Sequence, residues 1–190
     1  MDLQLPAGSL LAAWPGLPDP NFAESVLLIC EHGEGGAYGL VVNRALDLTV
    51  ADLLPDHPVL GQLSAGVHLG GPVEQQRLQF LHMLPGRIRG GAEVCTGLWI
   101  GGELEDVARV LAEAERGQAS RPPVRLFLGY AGWAGGQLEG ELAGSSWMPA
   151  PFDASVVFEG EGDAWRRVVE SVDPDRPRGV EDELGGASAN

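Results

Sequence analysis

Two stretches of this sequence carry side chains that could do chemistry. Glu31 and His32 are adjacent, where the apolar run Ser25 to Glu31 gives way to the Gly-rich segment His32 to Ala37. A carboxylate beside an imidazole is what a general base or a metal site would use. The plainer reading, a polar strand end that satisfies loop backbone, is favoured. Cys30 does not help a metal case, because its spacing to His32 fits no standard zinc pattern. The second stretch is Arg125 to Trp147. It opens as a β-prone run (Val124, Leu126, Phe127, Leu128), breaks at Gly129 to Trp133, and resumes as an amphipathic piece, Gln137 to Leu142. Tyr130, Trp133 and Trp147 stand among Gly and Ala residues. Large rings beside bare backbone mean close packing, a sharp strand-to-helix turn, or a surface that receives a ligand. Gly132 to Gly136 has the look of an anion cradle ahead of a helix at Gln137, although a tight turn explains it as well.

Asn43, Arg44, Tyr130, Gln137 and Glu141 are the candidate ligand-binding residues, with Glu31 and His32 as an alternative polar cluster. Polar groups near Gly suit a ligand cleft. The competing and favoured account is structural: Arg44 pairs with Glu141 or Glu139 and locks a hairpin to a helix. His82 falls in a largely apolar run and reads as a satisfied, half-buried imidazole, while His57 and His68 carry no motif. The chain lacks a Walker loop, a G-x-G-x-x-G after a strand, and a G-x-S-x-G elbow. The sequence therefore offers no catalytic residue, metal site or cofactor.

Composition narrows the class. A chain of 190 residues with 44% hydrophobic residues has room for one well-packed domain. Twelve basic residues, all Arg, face 27 acidic ones, for a net charge of −15. Nucleic-acid binding draws much of its affinity from neutralising phosphates, and Arg87, Arg89, Arg121 and Arg125 are too scattered to form a basic patch. No apolar run is long enough to span a bilayer, and the N-terminus lacks a basic region ahead of an apolar one. Cytoplasm is the expected compartment, and Cys30 and Cys95 are expected as buried free thiols.

The elements that must position these residues follow from periodicity. Leu3 to Trp14 is an apolar lead-in, and Pro15 to Pro20 a dense turn in which Asp19 accepts from nearby backbone. Ser25 to Glu31 and Tyr38 to Asn43 predict a hairpin. Thr49 to Leu54 is a short capped helix. Val67 to Leu69, Arg77 to Met83 and Val94 to Ile100 read as strands. Leu104, Val107, Ala108, Leu111 and Ala112 recur at helical spacing and predict a helix over Glu103 to Arg116, stopped by Gly117. Val124 to Tyr130 is the central strand, Gln137 to Ala143 a short helix, Ala154 to Phe158 a last strand and Asp163 to Val172 a last helix. Residues 1–172 form the expected domain, and 173–190 a polar, flexible tail. This layout is α+β with a largely antiparallel sheet.

Several segments together resemble one family. Asp19 to Phe22 (DPNF), Ser25 to His32 (SVLLICEH), Gly39 to Arg44 (GLVVNR), Gly70 to Glu74 (GGPVE), Leu81-His82, Phe127 to Leu142 (FLGYAGWAGGQLEGEL) and Ser145 to Trp147 (SSW) are similar to the bacterial YqgE/AlgH family. The resemblance implies a bifurcated or barrel-like sheet flanked by a few helices. It implies no reaction, since the family is largely uncharacterised; one branch carries a transcriptional-regulator label. The expected function is therefore a non-enzymatic binding or regulatory protein acting through a protein partner or small ligand, without direct contact with nucleic acid or membrane. The alternatives are a small-molecule hydrolase using Glu31 and His32, and a regulator acting on DNA, which the acidic charge disfavours.

Overall fold

The computed structural model describes residues 4–117, 122–160 and 162–174. Its strands are β1 (Leu10–Ala13), β2 (Val26–Gly33), β3 (Gly36–Val41), β4 (Ala45–Thr49), β5 (Gly66–Leu69), β6 (Val73–His82), β7 (Ala92–Cys95), β8 (Leu98–Ile100), β9 (Val124–Ala134) and β10 (Trp147–Ala150). The helices are α1 (Val50–Leu53), α2 (Leu104–Glu115), α3 (Gln137–Ala143), α4 (Ala154–Phe158) and α5 (Ala164–Val172). The strands form one open ten-stranded sheet in the order β10-β1-β2-β3-β9-β6-β8-β7, with β5 joined to β4 and β9. The α+β expectation holds. The sheet forks rather than closing into a barrel.

The fork lies at the middle of β9. Its end, Ala131 to Ala134, pairs antiparallel with β3. Its beginning, Leu126 to Leu128, pairs with β5, the one parallel pairing among the described residues. The chain running on from β3 into β4 is thereby split away from β9, and β5 is wedged between them. Gly70 stitches the split: its carbonyl accepts from Val41 N at 2.7 Å and its N–H donates to Leu128 O at 2.8 Å. Here the GGP segment requires glycine. A Cβ on Gly71 would sit 2.2 Å from the carbonyl carbon of Tyr130, and its φ is +155°.

Strands β1, β2 and β3 are buried on both faces, which explains why SVLLICE shows so little alternation. Leu10, Ala12, Val26, Leu28 and Leu40 face the cluster that includes Val157 and Val168 of α4 and α5. Leu11, Ala13, Leu27, Ile29 and Val41 face Leu138 of α3 with Trp133 and Trp147. A third cluster packs Val107 and Leu111 of α2 against Val67, Phe80 and Leu126. Cys30 is buried and Cys95 half-buried, and both are free thiols. Burial pushes the Cys30 thiol upward.

Several elements differ from expectation. Ala154 to Phe158 is a helix, not a strand. Its apolar composition suits either state, but Asp153 caps it, with Oδ1 accepting from Ser155 N at 2.8 Å and Val156 N at 3.4 Å. Gly129 does not end the central strand: it kinks at φ +71° and β9 continues to Ala134. Val94 to Ile100 is a hairpin turning at Gly97, not one strand. Strands β1, β4 and β10 are additional. The tail expectation falls, from residue 175 onward, outside the described residues.

The periodic helix α2 forms as read, and Arg116 Nε reaches back to Ala112 O at 3.1 Å. It also carries a cation-clamped carboxylate. Asp106 accepts from Arg89 Nε at 2.7 Å and Arg109 Nη2 at 2.8 Å. The Arg89 hydrogen bonds, with both guanidinium charges, push its pKa down to about 2. The stability this clamp provides is therefore complete above the ordinary carboxylate range and is lost as pH falls toward about 2. Urea denaturation of wild type and Asp106→Asn should show a stability gap at neutral pH that narrows across that acid window; a gap unchanged down to the lowest pH would contradict the clamp.

Candidate functional site

The residues singled out in the sequence fall into three places. Glu31 and His32 do not form a pair. Successive strand residues face opposite ways; Glu31 is exposed, while the His32 imidazole is wholly buried. Leu5 N donates to His32 Nδ1 at 2.9 Å, so Nε2 carries the proton and donates to Glu139 Oε1 at 3.0 Å. His32 thus ties the N-terminal segment and α3 to the end of β2. The backbone N–H of Glu139, followed by the His32 N–H, holds the Glu139 carboxyl below its usual range.

Asn43 and Arg44 brace the DPNF loop from behind. Asn43 Oδ1 accepts from Val26 N at 2.8 Å and its amide donates to Glu24 O at 2.9 Å. Arg44 donates to Ala23 O at 2.9 Å and Pro20 O at 3.3 Å. The expected pairing of Arg44 with Glu141 or Glu139 does not form, because backbone carbonyls of the loop take the guanidinium instead. Asp19 closes the loop as an Asx turn, accepting from Asn21 N at 2.8 Å.

Gln137 and Glu141 lie together on α3. Glu141 Oε2 accepts from the indole N–H of Trp133 at 2.8 Å and of Trp147 at 2.7 Å. Its Oε1 accepts from Gln137 Nε2 at 3.0 Å. Gln137 Oε1 in turn accepts from Ala134 N at 3.1 Å, so of the two readings of Gly132 to Gly136 the tight turn holds, closed by the side chain of its own helix. The rings stack edge to face: Trp133 on Trp147 at 6.3 Å, and Phe22 on Trp147 at 5.6 Å. This arrangement accounts for the spacing of Trp133, Glu141 and Trp147 in the sequence.

A cleft of about 280 Å³ opens where these pieces meet. Leu17, Asp19 and Phe22 form one wall, and Gln137 and Glu141 the other. Pro72, Gly132, Trp133, Ser146 and Trp147 complete the lining. Of the five candidate ligand residues, Gln137 and Glu141 line this cleft, Asn43 and Arg44 support its wall, and Tyr130 lies elsewhere. Tyr130 stacks on Tyr38 at 4.9 Å under Arg77. Tyr38 donates to Gln79, whose amide donates to Gly129 O at 3.0 Å; burial pushes the Tyr38 phenol up to about 12. Asp19, read in the sequence as a turn residue, and Phe22, which ends the DPNF motif, are cleft residues not among those five candidates.

A second hollow of about 460 Å³ lies between β5, β9 and α2, beside buried His68 and Arg125. Its charged groups serve internal contacts: Arg125 Nη1 donates to Val42 O at 2.6 Å, and Glu115 accepts from Ser64 N at 2.9 Å. His82 is fully buried rather than half-buried; Nδ1 accepts from Leu84 N at 3.2 Å, and burial pushes its pKa down. Among the described residues no cluster of His, Cys, Asp and Glu could hold a metal, and no helix is long and apolar enough to cross a membrane.

Fold and site together define a class: an α+β protein with a forked sheet whose aromatic–carboxylate cleft is built from the end of β9, α3 and the loop before β2. The chain belongs to the AlgH-like family, whose sequence model matches residues 10–176. It is 36% identical over 169 residues to a UPF0301 protein of Chlorobium luteolum, covering 88% of this chain and 86% of the relative. A UPF0301 protein of Ruegeria pomeroyi is 39% identical over 172 residues, covering 86% and 87%. The solution structure of AlgH from Pseudomonas aeruginosa superposes with a TM-score of 0.69 at 28% identity, covering 90% of each chain. A crystal structure of a Corynebacterium diphtheriae protein gives 0.68 at 26% identity, covering 93% of this chain and 91% of that one.

Proposed function

We propose that this is a non-catalytic binding protein, acting through the Trp133–Trp147 cleft on a small ligand or a group of a protein partner. One observation carries the reading: three segments far apart in sequence, DPNF, GGP and the stretch from GWAGGQLEGEL to SSW, converge on one concave site. The polar groups there hold one another in place. Glu141, Gln137 and Asp19 all spend hydrogen bonds on orienting the walls. The hydrolase alternative loses its motivation, since His32 is engaged by Leu5 and Glu139 and faces away from Glu31. Direct action on DNA does not suit a cleft edged by carboxylates in a chain of net charge −15. A cytoplasmic setting accords with this reading.

The test is a thermal-shift screen of metabolites and short peptides, followed by mass spectrometry of any compound that raises Tm. The expected hit stabilises wild type and is recovered chemically unchanged after prolonged incubation. Turnover that disappears in Glu31→Ala or His32→Ala would overturn the proposal.

A further inference from the structure

Resting on the binding reading above, we infer that the cleft takes a cationic group, an alkylammonium or guanidinium head. The argument starts from its lining. Two carboxylates, Asp19 and Glu141, edge the space, and among the described residues no Arg or His lines it. Among the described residues neither carboxylate is in an ion pair. Among the described residues Glu141 is bonded only to neutral donors, two indole N–H groups and one amide. These orient its charge without cancelling it. The guanidinium that could have cancelled it, Arg44, is drawn to the far side of the loop by Ala23 O and Pro20 O.

The remaining wall is aromatic. Phe22, Trp133 and Trp147 meet at the cleft, and aromatic rings beside carboxylates are what desolvated cations bind. Size limits the occupant further. A volume of about 280 Å³ is at the small end for ligand pockets, and fits a head group rather than a whole cofactor. The net charge of −15 also raises the local concentration of any cation approaching the surface.

The experiment follows the indole N–H signals of Trp133 and Trp147 by NMR while wild-type protein is titrated at millimolar concentration. Trp165, whose indole donates to Ala13 O at 2.8 Å on the opposite side of the sheet, is the internal control. The probes are butylguanidinium and butylammonium, neutral butylurea, anionic butyrate, and the blocked peptide acetyl-Gly-Arg-Gly-amide with its citrulline counterpart. The cations should shift Trp133 and Trp147 but not Trp165, and the urea and butyrate should not. A response to the small cations points to a free amine or guanidine, whereas a response to the arginine peptide alone points to a basic side chain of a partner protein; either supports the inference. Asp19→Asn keeps an oxygen for Asn21 N and removes one charge, so it should weaken binding about two- to fivefold with the free-protein spectrum preserved. If only butylurea or butyrate shifts the two indoles, the charge class is wrong and the binding reading stands. If no probe of any charge shifts them, both fail.

Discussion

Replacing Glu141 with Ala should lower stability by about 2–4 kcal/mol, a large effect for a half-buried surface helix residue. The reason is what the carboxylate leaves behind. Trp133 and Trp147 are 7% and 4% exposed, and each aims its indole N–H at Glu141 Oε2. Without an acceptor, two donors on largely buried rings lose their partner at once. Leaving a buried donor unsatisfied costs about 1–3 kcal/mol each, moderated here because water reaches the cleft. Glu141→Gln retains one acceptor oxygen and should cost about half as much. Urea denaturation of the three proteins measures this. A loss below about 0.5 kcal/mol for the Ala variant would mean that the indoles are served by solvent and that the clamp is incidental.

The second large effect belongs to the fork. Gly71→Ala should destabilise the protein by about 3–5 kcal/mol, or prevent soluble expression. The added methyl would lie 2.2 Å from Tyr130 C and 2.3 Å from Tyr130 O, backbone atoms in the middle of β9 that cannot step aside. The +155° φ adds strain for any residue with a Cβ. Gly86→Ala is the matched control, since nothing lies within 4 Å of its added methyl. Denaturant midpoints for the two variants should separate widely. Equal midpoints would show that β5 and β9 can move apart at the split, and that the fork is softer than its hydrogen bonds imply.

Much of the scaffold could be read directly from local chemistry. Helix α2 followed from apolar residues at helical spacing with Gly117 behind them, and β2 and β3 from β-branched runs around a Gly-rich turn. The two-faced burial of those strands is visible as missing alternation. The Asx turn at Asp19 needs only residues within two positions of it. Local patterns failed where two states share one composition. Ala154 to Phe158 is apolar enough for a strand, and a single cap at Asp153 tips it to helix. Gly129 reads as a terminator, yet in β9 it is a kink held by pairing on both sides.

The candidate site divides in the same way. The types that matter were prominent in the sequence: Trp133, Gln137, Glu141 and Trp147 within one motif, and Asn43 and Arg44 in another. Their partners were not. Arg44 and Glu141 have opposite charges and lie in neighbouring motifs of the fold, so pairing them is the natural guess from charge. Tertiary structure decided otherwise, because the loop carbonyls of Pro20 and Ala23 reach Arg44 while two indoles reach Glu141. His32 likewise found Glu139, 107 residues away, rather than its neighbour Glu31, because adjacent strand residues point to opposite faces. What the sequence determined by itself was the α+β scaffold and the family, since these rest on periodicity and on the order of motifs. What only the tertiary structure decided was which charge meets which donor, and hence that the cleft keeps two carboxylates against aromatic rings with no ion pair among the described residues: such pairings depend on distances between segments far apart in the chain.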